Sequence, residues 1–160
     1  MTFENRLELL LVHCQGEIGK VIVGGAPDIP GATIVEKMNH LNEVDDALRR
    51  FVTFEPRAHA AQTVNLLLPP TRPNADAAFI VLQADKAHPM SGSNCVCVVT
   101  AVLESGRVRM VEPETTVRID TAAGLITAHA RCGNDRCLSV SLDNVPAFAT
   151  ALDTPVRTAG

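Results

Sequence analysis

Met90-Ser91-Gly92-Ser93-Asn94 runs directly into the apolar segment Cys95–Leu103, which closes on Glu104-Ser105-Gly106. Small polar residues in front and a glycine behind are helix start and stop signals, so the pattern predicts a helix over 95–103. Its valines keep a β-strand as the rival reading. The first N–H groups of such a helix have no intrahelical partner and lie at the positive end of the dipole. A start of this kind binds a carboxylate or phosphate, and Gly92 would let the ligand approach the backbone closely. The alternative is that one of the two serines only caps a structural helix.

Three other clusters carry reactive side chains. His13-Cys14-Gln15-Gly16-Glu17 surrounds a turn signal, with His13 at the end of an apolar run where site residues often emerge. A plain hairpin turning at Gly16 explains it equally well. Glu55-Pro56-Arg57-Ala58-His59 offers a cation and an imidazole, although a basic residue at an exposed helix end accounts for Arg57. Cys132-Gly-Asn-Asp-Arg-Cys137, with His129 nearby, raises zinc. The spacing lacks a second ligand pair and structural zinc needs four ligands, so a hairpin carrying two incidental thiols is the preferred reading. Cys95 and Cys97 read as small core residues. No phosphate-loop, dinucleotide or nucleophile-elbow glycine motif is present.

The elements that must position these residues read as follows. Leu7–His13 and Lys20–Val23 form a hairpin, followed by a non-helical connection through Gly24-Gly25, Pro27, Pro30 and Gly31. Met38, Leu41, Val44, Leu48 and Phe51 recur at helical spacing, predicting one amphipathic surface helix from about Thr33 to Val52. Thr63–Leu68 and Ala77–Gln83 are buried strands. Thr115–Thr121, Leu125–Ala130 and Cys137–Leu142 make an antiparallel meander. Because 95–103 is apolar on every side, as a helix it would be buried all round. The expected class is therefore α+β: a curved antiparallel sheet around a central buried helix, plus the surface helix.

Composition narrows the partners. The 160 residues carry a net charge of -4 without a basic cluster, which argues against nucleic acid or an anionic membrane surface. Trp and Tyr are absent and only five Phe occur, so no stacking surface for bases or sugars is expected. No apolar stretch is long enough to span a bilayer. The first residues, with Glu4, Arg6 and Glu8, lack the pattern of a secretory signal. Five scattered cysteines read as reduced thiols. A cytoplasmic location is expected.

His13-Cys-Gln-Gly-Glu17, Val23-Gly-Gly25, Glu36-Lys37, Glu55-Pro-Arg-Ala-His59, Met90-Ser-Gly-Ser-Asn94 and Asp120-Thr-Ala-Ala-Gly124, in this order, resemble the N-terminal half of the proline racemase family. That family includes hydroxyproline 2-epimerases and trans-3-hydroxy-L-proline dehydratases. The resemblance implies a diaminopimelate-epimerase-like half-domain over residues 1–152, with 153–160 as a polar tail leading toward a second half. It also implies removal and return of a substrate Cα proton with neither cofactor nor metal. By motif, Ser91 takes the proton-transfer position, the N–H groups of Gly92 and Ser93 bind the substrate carboxylate, and His88 lines the pocket.

Two departures stand out: Ser91 occupies a position where many members have cysteine, and the family's Arg-Gly-His is here Arg57-Ala58-His59. The family's second motif, with its own cysteine-glycine helix start, has no counterpart before Gly160. Three functions are thereby open: a 4-hydroxyproline 2-epimerase type, a trans-3-hydroxy-L-proline dehydratase, or a truncated non-catalytic half that keeps only a carboxylate-binding helix end. The implied partner is a small proline-ring amino acid, together with a second copy or a complementary second half.

Overall fold

The structure, a computed structural model, describes residues 6–149 and 151–155. Strands β1 (Glu8–Cys14) and β2 (Glu17–Gly24) form the expected opening hairpin. Its turn residues Gln15 and Gly16 both have positive φ, 51° and 94°, the backbone sense that matches the twist of the flanking strands.

The single surface helix expected over 33–52 is two: α1 (Ile34–Glu43) and α2 (Ala47–Thr53). Asp45 makes the break. Its Oδ1 accepts the Ala47 N–H at 2.9 Å, while the N–H groups of Val44 and Asp45 both close on the carbonyl of His40. A short acidic side chain bonded to nearby backbone competes with helix continuation. The apolar periodicity survives the interruption, since Leu41, Leu48 and Val52 enter one buried cluster.

The chain continues through β3 (Thr63–Leu68), β4 (Ala77–Leu82), β5 (Ala87–His88), α3 (Gly92–Glu104), β6 (Glu114–Thr121), β7 (Gly124–Gly133) and β8 (Arg136–Asp143). The sheet order is β1-β2-β3-β4-β6-β7-β8. β5 and β6 share one edge of β4, β6 at Ala77 and Ala78, β5 at Val81 and Leu82. The sheet is mixed where an antiparallel one was expected: β2 runs parallel to β3, and β4 parallel to β6. Each parallel pair brackets a helical crossover, α1 and α2 in the first case and α3 in the second, which returns the chain to the same end of the sheet. The meander β6-β7-β8 is antiparallel as expected.

Segment 92–104 is helical, not a strand, and the sheet curls around it. α3 lies against β1, β2, β3, β4, β7 and β8, including both end strands of the sheet order. Strand β4 is buried along its whole length. Phe79 and Val81 join Cys95, Val98, Val99 and Val102 of α3 in the inner core. Ala78, Ile80 and Leu82 join Ile34, Leu41 and Leu48 of α1 and α2 in the outer one. This alternation is the period-two signature of a strand covered on both faces. Close approach of α3 to β2 depends on Gly19, where an added β-carbon would lie 2.6 Å from both Cβ and Sγ of Cys97.

The curl is incomplete. β1 and β8 do not pair, and between them an open groove of about 520 Å³ reaches the half-buried Val96 and Thr100 of α3. The helix is therefore buried on most sides and not on all. Residues 144–149 and 151–155 form neither helix nor strand, and 156–160, the rest of the expected polar tail, lie outside the described residues.

Candidate active site

The start of α3 differs from that of α1 in how its N–H groups are satisfied. At α1, Thr33 Oγ1 accepts the Glu36 N–H at 3.2 Å and Glu36 Oε2 accepts the Ala32 N–H at 2.7 Å, a near variant of the capping box. At α3, Ser91 occupies the N-cap with extended backbone (φ -150°, ψ 131°), yet its side chain makes no capping hydrogen bond, and no acidic residue stands in the first turn. The N–H groups that precede the helical ladder have no intrahelical acceptor and lie at the positive end of the dipole. Gly92 is exposed, and a β-carbon added there would meet no atom within 4 Å, so the backbone is open to close approach.

The Ser91 hydroxyl has a different partner. Its Oγ accepts the Nδ2–H of Asn94 at 3.0 Å. Asn94 is buried, and its own Oδ1 accepts from Thr63 Oγ1 and Asn65 Nδ2 of β3, each at 2.8 Å. The site thus pairs an uncapped helix start, able to hold an anion, with a hydroxyl braced from the sheet. Reading the motif as a helix start passed over Thr63, Asn65 and the role of Asn94. The available signal was Asn65 itself, a lone amide inside the apolar run Val64-Asn-Leu-Leu-Leu68, since buried polar groups are placed to be hydrogen-bonded.

Ser91, Gly92 and Ser93 stand consecutively at this helix start, with Ser91 and Ser93 half-buried. His88 lies on β5, opposite Val81 of β4, and its Nε2 is hydrogen-bonded to Asp85 Oδ1 at 3.1 Å. That bond holds the Asp85 carboxyl below the usual carboxylate range. The imidazole is thus partnered by Asp85, not by Ser91.

The remaining clusters lie elsewhere. His13, Cys14 and Gln15 line the groove between β1 and β8, whose lining includes none of His88, Ser91, Gly92 or Ser93. Arg57 Nε donates to the carbonyl of Phe51 at 2.6 Å, and its guanidinium sits 3.9 Å above the Phe51 ring, which closes the end of α2. His59 Nδ1 accepts the Ala61 N–H at 3.3 Å. Ala58 does not adopt positive φ, so the backbone here does not demand glycine.

Cys132 and Cys137 face each other across the β7-β8 hairpin, and the His129 ring bonds Asp143 Oδ2 at 3.0 Å. Among the described residues no group of three or more His, Cys, Asp or Glu is gathered as a metal site. Burial pushes the Cys95 thiol up to about 12 and the Cys97 thiol up to about 11, as befits core residues. No helix among the described residues is long and apolar enough to cross a membrane.

Comparison with known proteins agrees with this architecture. The family model described as proline racemase matches residues 9–160. The chain is 51% identical over 160 residues to a 4-hydroxyproline 2-epimerase of Agrobacterium fabrum, covering 99% of this chain and 46% of that protein. It is 52% identical to 4-hydroxyproline 2-epimerase 1 of Rhizobium rhizogenes, with the same coverage of 99% and 46%. A crystal structure of a hydroxyproline epimerase from Agrobacterium vitis, with bound trans-4-hydroxy-L-proline, superposes with a TM-score of 0.93 at 50% identity, over 99% of this chain and 47% of that one. A methylitaconate-delta-isomerase at 17% identity and a TM-score of 0.55 shares the fold alone, over 84% of this chain and 37% of that one. The chain spans about half the length of the curated relatives it matches. On its family match, its relatives and its curled α+β sheet around α3, this chain belongs to the proline racemase family.

Proposed function

We propose that residues 1–152 are the N-terminal half of a cofactor-independent 4-hydroxyproline 2-epimerase, one of two diaminopimelate-epimerase-like halves that face each other across a substrate cleft, with 153–160 opening the crossover between them. Ser91 is one of two acid/base groups, and the other comes from the second half. The Gly92 and Ser93 N–H groups hold the substrate carboxylate, and His88 borders the ring. The observation that carries this reading is the Ser91 hydroxyl at an open, uncapped helix start.

In the reaction one group removes the Cα proton and the other delivers a proton to the opposite face, which inverts Cα. When Ser91 acts as the base, its ionised Oγ takes the proton as the Cα–H bond breaks, and the electron pair of that bond stays on the substrate until the other group protonates the opposite face. When it acts as the acid, Oγ–H supplies the proton. The carboxylate bound at the dipole end takes up charge developing on the substrate.

Relatives named for 4-hydroxyproline favour epimerisation over dehydration. A 4-hydroxyl is not β to the carbanion at Cα, so deprotonation alone expels nothing. A cytoplasmic site of action fits the free thiols. Pairing with a second half, or with a second copy, completes the cleft.

The test is Cα deuterium uptake from 4-hydroxyproline in deuterium oxide by an enzyme of the relatives' full length that carries residues 1–160. Uptake with inversion is expected, reduced on the order of 10²–10⁴-fold by Ser91→Ala, the usual contribution of a positioned acid/base group. Absence of uptake overturns the proposal, and Δ1-pyrroline-2-carboxylate from the 3-hydroxy isomer would assign the dehydratase instead. A rate for the isolated 160-residue chain equal to that of the two-half enzyme would reject the view that both halves are needed.

A further inference from the structure

Asn94 ties the Ser91 hydroxyl to the sheet. It is the third residue of α3 and only 3% exposed, and asparagine there contributes little to helix propensity. Its Oδ1 is engaged by two donors from β3, Thr63 Oγ1 and Asn65 Nδ2. This leaves Nδ2 to face Ser91 Oγ.

The direction of the chain of bonds follows from Asn65, which is fully buried. Its Oδ1 has no hydrogen-bond partner among the described residues. Reversing the two amides would make the Asn65 NH₂ the orphan instead, and would turn Asn94 Oδ1 toward Ser91. An orphaned buried N–H is the rarer and costlier of the two. The observed setting therefore makes Asn94 a donor to Ser91, not an acceptor from it.

We infer that Asn94 is a positioning residue for the acid/base work of Ser91, a role that rests on the epimerase reading above. Its N–H occupies one acceptor site of Oγ, so the hydroxyl proton and the remaining lone pair are left for the substrate side. When Ser91 gives its proton to Cα, the O–H bond breaks, the Cα–H bond forms, and the electron pair left on Oγ is held by the Asn94 N–H. In the reverse step the same contact releases charge as Oγ takes the proton. A serine hydroxyl is a weak acid, and a hydrogen bond to its ionised form is the stronger, charge-assisted kind.

The test uses an enzyme of the relatives' full length carrying residues 1–160, with Cα–H exchange in deuterium oxide started separately from each 4-hydroxyproline epimer. Each acid/base group exchanges the epimer whose Cα–H points at it. Asn94→Asp keeps an oxygen for Thr63 and Asn65 but replaces the donor at Ser91 with an acceptor that repels an alkoxide. Exchange from the epimer facing Ser91 is expected to fall at least about 10-fold, with exchange from the other epimer within about two-fold and KM little changed. Asn94→Ser, which shortens the side chain without adding charge, is the second variant and carries the same expectation.

Equal losses for both epimers would mean that Asn94 merely holds the fold, and no loss for either would mean that it does nothing for Ser91. Each of these overturns the inference while one-sided loss in Ser91→Ala leaves the epimerase reading standing. If Ser91→Ala also leaves both exchanges intact, the acid/base assignment of Ser91 falls and the role of Asn94 falls with it, while the exchange itself keeps the epimerase reading.

Discussion

Asp120 of β6 grips Arg72 on the loop after β3: its Oδ1 accepts the guanidinium Nε–H at 2.9 Å and its Oδ2 the Arg72 backbone N–H at 3.1 Å. Thr71 adds its own N–H at 2.9 Å and its hydroxyl at 2.8 Å to the same Oδ2. The carboxylate is 2% exposed and Arg72 51%, so the aspartate is the member that cannot be lost. Asp120→Ala is expected to cost about 2–4 kcal/mol, because it strands several loop donors at once. Arg72→Ala should cost about 1 kcal/mol or less, since its head is half in water. Urea midpoints of the two variants measure the difference.

The core thiols give a pH signature. Folding raises Cys95 and Cys97 above the ordinary 9.0, to about 12 and about 11, through burial. A raised folded value means the contribution to stability is whole below about pH 9 and is lost as pH climbs toward 11–12. Denaturant midpoints are expected to fall over that window, and Cys95→Ala should flatten the fall. In a thiol-reagent titration at pH 8, Cys95 and Cys97 should react only after unfolding.

Gly19→Ala tests the closest approach of sheet to helix. The added carbon meets both Cβ and Sγ of Cys97, so β2 and α3 must separate, at a cost of about 1–3 kcal/mol. Adding Cys97→Ala removes only the sulfur and should restore part of the loss. Thermal melts of the single and double variants read this directly.

The open edges expose apolar side chains: Leu11 on β1 is 70% exposed and Leu138 on β8 56%. Unpaired strand edges with apolar residues recruit other chains. The 160-residue chain is expected to self-associate in sedimentation at micromolar concentration, and Leu11→Lys with Leu138→Lys should shift it toward monomer. A clean monomer for the unaltered chain would count against this.

Much of the architecture was legible because it is local. Two-residue turns at Gln15-Gly16 and Asn134-Asp135 have positive φ, and Gly16 and the Asn-Asp pair, types that tolerate that backbone, mark the two hairpins. Helical spacing located α1 and α2 but could not separate them, since the interruption at Asp45 preserves the apolar face. Strand direction was out of reach for the same kind of reason. Whether β2 meets β3 parallel or antiparallel depends on the helical crossover between them and leaves no mark on the strands' alternation.

The candidate site divides in the same way. The sequence by itself determined which family's ordered motifs surround residues 91–94, and it favoured a helix start there over a strand, with an anion site and a plain cap both open. Only the tertiary structure decided what Ser91 does with its hydroxyl. Its partner Asn94 takes its orientation from Thr63 and Asn65, residues 31 and 29 positions away in the chain. Turn and helix signals are short-range backbone preferences, whereas the direction of a buried hydrogen bond is set by whichever donors and acceptors the fold brings within 3 Å or so.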